Sequence, residues 1–125
     1  MLRDILLVVV GSGIGGGLRY LINVLGQRLL PASYLFFTTM LVNVVGSFVI
    51  GLIFGALVLG EGRGILRPLL AVGFCGGFTT FSTFSAEGIS LLQRGDYLLF
   101  GLYVIASVTL SLLAFYFGYY ITGDF

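Results

Sequence analysis

No histidine, no lysine and no tryptophan occur in the 125 residues, and cysteine occurs once, as Cys75. Without imidazole there is no ordinary general base and no zinc site of the His/Cys type, and a single thiol forms no intrachain disulfide. Intramembrane proteolysis needs a Ser/His, Ser/Lys, Asp/Asp or zinc constellation, and the apolar segments supply none. Enzyme chemistry is therefore not expected. Charge is scarce as well: 9% of the residues are charged, against about 25% in a soluble domain. The six positive residues are scattered and the net charge is +1, so the dense basic face that nucleic acid demands is missing. So little charge cannot cover a 13.4 kDa globule in water.

What the chain has instead is apolar length. It is 58% hydrophobic with a mean hydropathy of +1.14, and its breaks divide it into four runs, at about residues 5–25, 35–59, 65–93 and 97–121. Each meets the roughly 20 residues that cross hydrocarbon as a helix. Short connections lie between them: 27–33 with Pro31, 60–67 with Glu61 and Arg63, and 93–96. Residues 1–125 thus read as a single all-α membrane domain of four transmembrane helices. The N-terminal run has an arginine before its apolar stretch, as signal peptides do. Its glycine-rich interior and the three comparable spans that follow make it a retained first helix by expectation.

Twenty glycines would weaken soluble helices, but small residues let membrane helices approach closely. Gly11 with Gly15, Gly13 with Gly17, Gly51 with Gly55 and Gly73 with Gly77 all recur at four-residue spacing. Gly11, Gly13 and Gly16 also fit a dinucleotide-binding spacing, which carries meaning only in a strand–helix unit that four apolar spans do not provide.

Orientation is normally set by an excess of Lys and Arg on one side. Here one side carries Arg3, Arg63 and Arg67, and the other Arg28 and Arg94, with Arg19 if it reaches that way. The near balance permits insertion both ways and an antiparallel dimer of opposite copies; it also permits one weakly set orientation.

The third span is the unusual one. Across Gly73-Phe74-Cys75-Gly76-Gly77-Phe78-Thr79-Thr80-Phe81-Ser82-Thr83-Phe84-Ser85, glycine and hydroxyl residues oppose a continuous helix. A break at membrane depth must be buried in protein or line an aqueous cavity, because unpaired backbone groups cost several kcal/mol each. Freed carbonyls are suitable ligands for a hard cation. Downstream, residues three apart give a ladder of Phe78, Phe81 and Phe84, a second of Thr79, Ser82 and Ser85, and a third of Thr80 and Thr83. These are either core phenylalanines with hydroxyls bonded to the preceding turn, or an aromatic stripe beside a polar one.

Tyr103, Ser107 and Ser111 line one face of the fourth span, and Asn43 lies within the second, one turn after Thr38 and Thr39. Arg19 is either a snorkelling interfacial anchor or a source of positive potential that attracts anions. Glu87 is the acid well inside a span, and a lone intramembrane carboxylate points to proton or cation coupling.

With Gly17-Leu18-Arg19-Tyr20 in the first span and Thr39-Met40-Leu41-Val42-Asn43-Val44-Val45-Gly46-Ser47-Phe48 in the second, the third-span motif resembles the Fluc family of fluoride channels, also called CrcB proteins. The resemblance covers essentially the whole chain. It implies an antiparallel, dual-topology homodimer with a broken third helix, in a bacterial plasma membrane, passing fluoride passively and excluding chloride. Exit of fluoride driven by the membrane potential would confer fluoride resistance. By motif, Gly76 and Thr79 correspond to residues whose carbonyls hold a structural sodium ion at the dimer interface. Phe81 and Phe84 correspond to phenylalanines facing the anion, and Asn43 to an amide beside it. Tyr103, Ser107, Ser82 and Thr83 match residues of the pathway, and Ser111 extends it by spacing. Arg19 matches an arginine near the vestibule, and Glu87 an acid near a pore mouth.

The rival from another class is a small four-helix proton-coupled cation or drug exporter, which would use Glu87. The first span has no acid, and no tryptophan is present for an aromatic cage around organic cations. A third possibility is an accessory subunit that docks through its glycine faces.

Overall fold

The computed structural model describes residues 1–31, 34–59 and 63–123. Ala32 and Ser33 of the first connection, and Gly60, Glu61 and Gly62 of the second, lie outside the described residues. Among the described residues the regular elements are helices: α1 (Leu2–Leu29), α2 (Phe36–Leu59), α3 (Arg63–Leu66), a π-helical stretch (Arg67–Cys75), α4 (Gly76–Phe78), α5 (Ser82–Gln93) and α6 (Tyr97–Thr122). Grouped by length and hydropathy they make four spans, Leu2–Leu29, Phe36–Ala56, Gly64–Gln93 and Tyr97–Thr122. Most of their large apolar side chains point outward, from Ile5 and Val9 on α1 to Ile105 and Leu112 on α6. In water that surface would aggregate; in a bilayer it is the solvent-facing side.

Two backbone-to-backbone pairings organise the molecule. α2 lies along α6, where a Cβ at Gly51 or Gly118 would collide with the facing main chain. α1 lies along the first half of the third span, where Gly11 and Gly15 sit against the main chain at Leu69 and Phe74, and Gly77 against that of Ser12. The contacts Arg3 to Gly64, Ser12 to Gly73 and Arg19 to Gly77 advance together along both chains, so these elements run in the same direction. Gly13 and Gly17 face open space; their spacing resembles that of Gly11 and Gly15, yet they pack on nothing among the described residues.

The third span is not one uniform helix. Pro68 lacks the N–H that an α-helix would use, and the chain around it is wound wide from Arg67 to Cys75. Gly76 and Gly77 remain helical, with Gly76 at φ −63° and ψ −38°. The interruption falls later, at 79–81, where Thr79 is extended (φ −82°, ψ 159°). Gly77 therefore serves close packing against α1 while Gly76 faces open space, and the break has another cause.

Candidate functional site

That cause is Asn43. Its side-chain amide pairs with the main chain of Thr80 at both ends: Nδ2–H donates to the Thr80 carbonyl at 2.9 Å, and Oδ1 accepts the Thr80 N–H at 2.7 Å. Thr79 turns both its N–H and its hydroxyl back to the Cys75 carbonyl, at 3.0 and 2.9 Å. The Thr80 hydroxyl accepts the N–H of Thr83 at 3.2 Å and so satisfies an amide in the first turn of the next helix, α5. In a continuous helix the Thr80 and Thr83 amides would serve the carbonyls of Gly76 and Thr79. Both amides are diverted, which leaves those two carbonyls without their helical donors. On the other side, Arg19 Nε–H donates to the Gly77 carbonyl at 3.1 Å.

Beside the break is a cavity of about 390 Å³. Gly76, Thr79 and Thr80 line it from the break, Asn43 and Ser47 from α2, and Ser107 and Ser111 from α6, with Phe81 and Phe84 at its aromatic wall. Ile50, Cys75 and Val108 complete it. Phe81 is 78% exposed at the side of the molecule, and its ring lies 5.7 Å from that of Phe84, which in turn lies 5.1 Å from Tyr103. Ser107 Oγ is buried and has no hydrogen-bond partner among the described residues.

Of the residues singled out in the sequence, Gly76, Thr79, Asn43, Phe81, Phe84, Ser107 and Ser111 thus meet at one cavity. Ser82, Thr83, Tyr103, Arg19 and Glu87 are not part of its lining. Tyr103, 1% exposed, donates its hydroxyl to Glu87 Oε2 at 3.2 Å, and Thr39 donates to Glu87 Oε1 at 2.7 Å. Glu87 is therefore held between α2 and α6. Ser82 is exposed, with its hydroxyl 3.2 Å from that of Thr80. The phenylalanine ladder does not survive the break: Phe78 is buried on α4 and stacks on Phe74, away from Phe81. Ser47 and Thr80 were not singled out for the cavity. Ser47 follows Asn43 by one helical turn, a signal present in the sequence.

Chemically, the cavity offers hydroxyl and amide groups, aromatic rings and main-chain oxygens in a largely apolar wall. Among the described residues no group of three His, Cys, Asp or Glu side chains is placed to hold a metal. A cation here would have to be held by oxygens of the main chain, for which the carbonyls of Gly76 and Thr79 are the free candidates.

Comparison with known proteins gives a consistent result. The profile of one family, CrcB-like protein, Camphor Resistance (CrcB), matches residues 6–119. The chain is 47% identical to the fluoride-specific ion channel FluC of Rhizobium etli over 90% of both chains. It is 43% identical to the protein of that name from Campylobacter jejuni, over 97% of this chain and 98% of the relative. It is 40% identical to that from Bacteroides fragilis over 99% of both.

Proposed function

The chain belongs to the CrcB family, a multi-pass membrane family of ion channels and not of enzymes, and from that membership we propose that it is a passive fluoride channel. The observation that carries the reading is a cavity beside the helix break, largely apolar but carrying hydroxyl and amide groups, together with Ser107, a buried donor with no acceptor among the described residues. An unmatched buried hydroxyl costs about 1–3 kcal/mol, and a small anion at the cavity is the acceptor that relieves it. Ser111 lies one turn further along α6 and Ser47 one turn along α2 from Asn43, so donors continue on both walls. Fluoride binds its water tightly, and a pore must replace that shell with closely spaced donors that do not trap the ion. The edges of Phe81 and Phe84 carry the positive rim of the ring quadrupole and supply contact where donors are absent. Larger chloride would fit that spacing poorly.

A second copy of the chain completes the site in this reading. The exposed ring of Phe81, the exposed Ser82 and the open space beside Gly76 occupy the middle of a span, where lipid gives no partner to main-chain oxygens. Covering that face with an antiparallel copy makes a dual-topology homodimer. The residues at the break fit a structural sodium ion: the Gly76 and Thr79 carbonyls are relieved of their helical donors and supply the hard oxygen ligands that such an ion takes. When bound, the ion contributes fixed positive charge against the converging carbonyl dipoles. Replacing sodium with a bulkier monovalent cation is expected to slow flux, and full activity under strict sodium depletion would remove the ion from the reading.

Passive conduction would let a negative-inside potential drive fluoride out of the cell, which is fluoride resistance. The proton-coupled exporter needs its carboxylate on the transport path, whereas Glu87 lies outside the cavity lining. The direct test is release of fluoride from proteoliposomes loaded with potassium fluoride after addition of a potassium ionophore, with potassium chloride vesicles in parallel. Rapid release of fluoride and none of chloride is expected. Absence of fluoride release from folded protein would overturn the proposal.

A further inference from the structure

We infer that Arg19 is a positioning residue of the helix break, acting through the hydrogen bond from its Nε to the Gly77 carbonyl and not through its charge. The inference rests on the channel reading for its flux measurement, though not for its geometry. Arg19 does not run to the end of α1: it is half-buried and reaches the third span near its middle. It is absent from the cavity lining, so its charge does not sit on the proposed path.

Its partner explains the placement. In a continuous helix the Gly77 carbonyl would accept the amide of Phe81, but 79–81 are non-helical, and the end of the first half-helix leaves its carbonyls without donors. Arg19 satisfies one of them from α1, while Asn43 pairs with Thr80 from α2. The break is thus pinned on two sides. The α1 pin is rigid because α1 is locked in register: Gly15 lies against the main chain at Phe74, Gly77 against that of Ser12, and the Ser12 hydroxyl donates to the Gly73 carbonyl at 3.3 Å. With the register fixed, the arginine holds Gly77 in place and occupies its carbonyl. The carbonyls of Gly76 and Thr79 are left for other use.

Three substitutions separate the hydrogen bond from the charge. In Arg19→Gln the terminal nitrogen stands as many bonds from Cα as Arg Nε, so the donor is kept and the charge is lost. In Arg19→Lys the charge is kept and a methylene takes the place of Nε. In Arg19→Met both are lost at similar length. Fluoride release is measured over a range of fluoride concentrations, and hydrogen exchange of the 79–83 amides is measured on the same preparations. Arg19→Gln is expected within about threefold of the unsubstituted protein at saturating fluoride, and Arg19→Lys and Arg19→Met at least about tenfold lower, with no recovery as fluoride is raised. Exchange at 79–83 is expected to rise in the Lys and Met variants alone. If Arg19→Lys does not fold, Arg19→Met carries that arm. Flux retained by Arg19→Lys, or lost by Arg19→Gln, or retained by all three, overturns the inference in favour of charge or of no role. Failure of the unsubstituted protein to release fluoride is the separate failure of the channel reading, and the exchange ranking still decides the role of Arg19.

Discussion

The two halves of the third span are made of similarly small residues yet are held in opposite ways. Upstream, Gly73 and Gly77 bring the chain so near to α1 that main chain touches main chain, and side chains of α1 donate onto its carbonyls at Gly64, Gly73 and Gly77. Downstream, α5 touches its neighbours through side chains: Glu87 between Thr39 and Tyr103, Leu91 in the buried cluster with Phe36 and Tyr103, and Phe84 packed against that cluster. The first half is fixed by shape and the second by matched polar and aromatic partners. The site lies where one mode of support gives way to the other, and there the main chain leaves the helix.

The contrast is broken most severely from the upstream side. Gly77→Ala drives a methyl into the main chain of Ser12, which has no flexible end to move aside, whereas a Cβ at the adjacent Gly76 meets open space. Overpacking of this kind costs about 1–3 kcal/mol and more where backbone must shift. We expect Gly77→Ala to abolish or strongly reduce recovery of monodisperse protein and Gly76→Ala to leave it near normal, as read by size-exclusion chromatography and thermal unfolding in detergent. Equal behaviour of the two would show that α1 can yield.

Next in size is the pin on the downstream side. Asn43→Leu removes both bonds to Thr80 and leaves a part-buried N–H and C=O unmatched, for about 1–3 kcal/mol in total. Exchange of the 79–83 amides is expected to accelerate while α1 and the upstream half keep their protection. Uniform acceleration along the third span would mean that the two halves are one unit.

These effects also mark what the sequence made legible. The four spans followed from apolar length, and the close pairings at Gly11, Gly15, Gly51 and Gly73 from glycine spacing. Gly13 and Gly17 share that spacing but face outward, because period tells which residues lie on one face and not which face meets a neighbour. The break was expected within the block of glycine and hydroxyl residues and falls in its hydroxyl part, at 79–81, where Asn43, a residue 37 positions away, takes the main chain of Thr80. Reading helical spacing across the break also placed Phe78 with Phe81 and Phe84, although an extended Thr79 turns it to the other side. Tyr103, Ser107 and Ser111 lie on a helix without interruption, and there the four-residue spacing held: the last two line the cavity and the first is buried beside Glu87.

The aromatic wall gives a smaller effect on stability and a large one on function. Phe81 is exposed, so Phe81→Ile loses little packing within the chain, and Phe84→Ile loses its ring contacts with Phe81 and Tyr103 at about 0.5–1.5 kcal/mol each. Both substitutions keep apolar bulk and remove the ring edge. Fluoride flux is expected to fall at least about tenfold in each with folding retained; unchanged flux in both would take the rings out of the mechanism.

The smallest structural effect belongs to Ser107, and it separates stability from function most cleanly. Its hydroxyl is buried with no partner among the described residues, so the folded chain carries the cost of having stripped water from it. Ser107→Ala deletes one oxygen and the unmet donor with it, in a helix where alanine is the more favourable residue. The chain should therefore be unchanged or slightly more stable, by up to about 1 kcal/mol in thermal unfolding. Flux should move the other way. If the hydroxyl waits for an anion, its removal takes away a donor that only the passing ion uses, and fluoride release falls while the protein becomes no less stable. A hydroxyl that served the fold would give the reverse: lower stability together with lower flux. The sign of the stability change, read beside the rate, decides whether this residue belongs with the partners that hold the downstream half in place or with the ion.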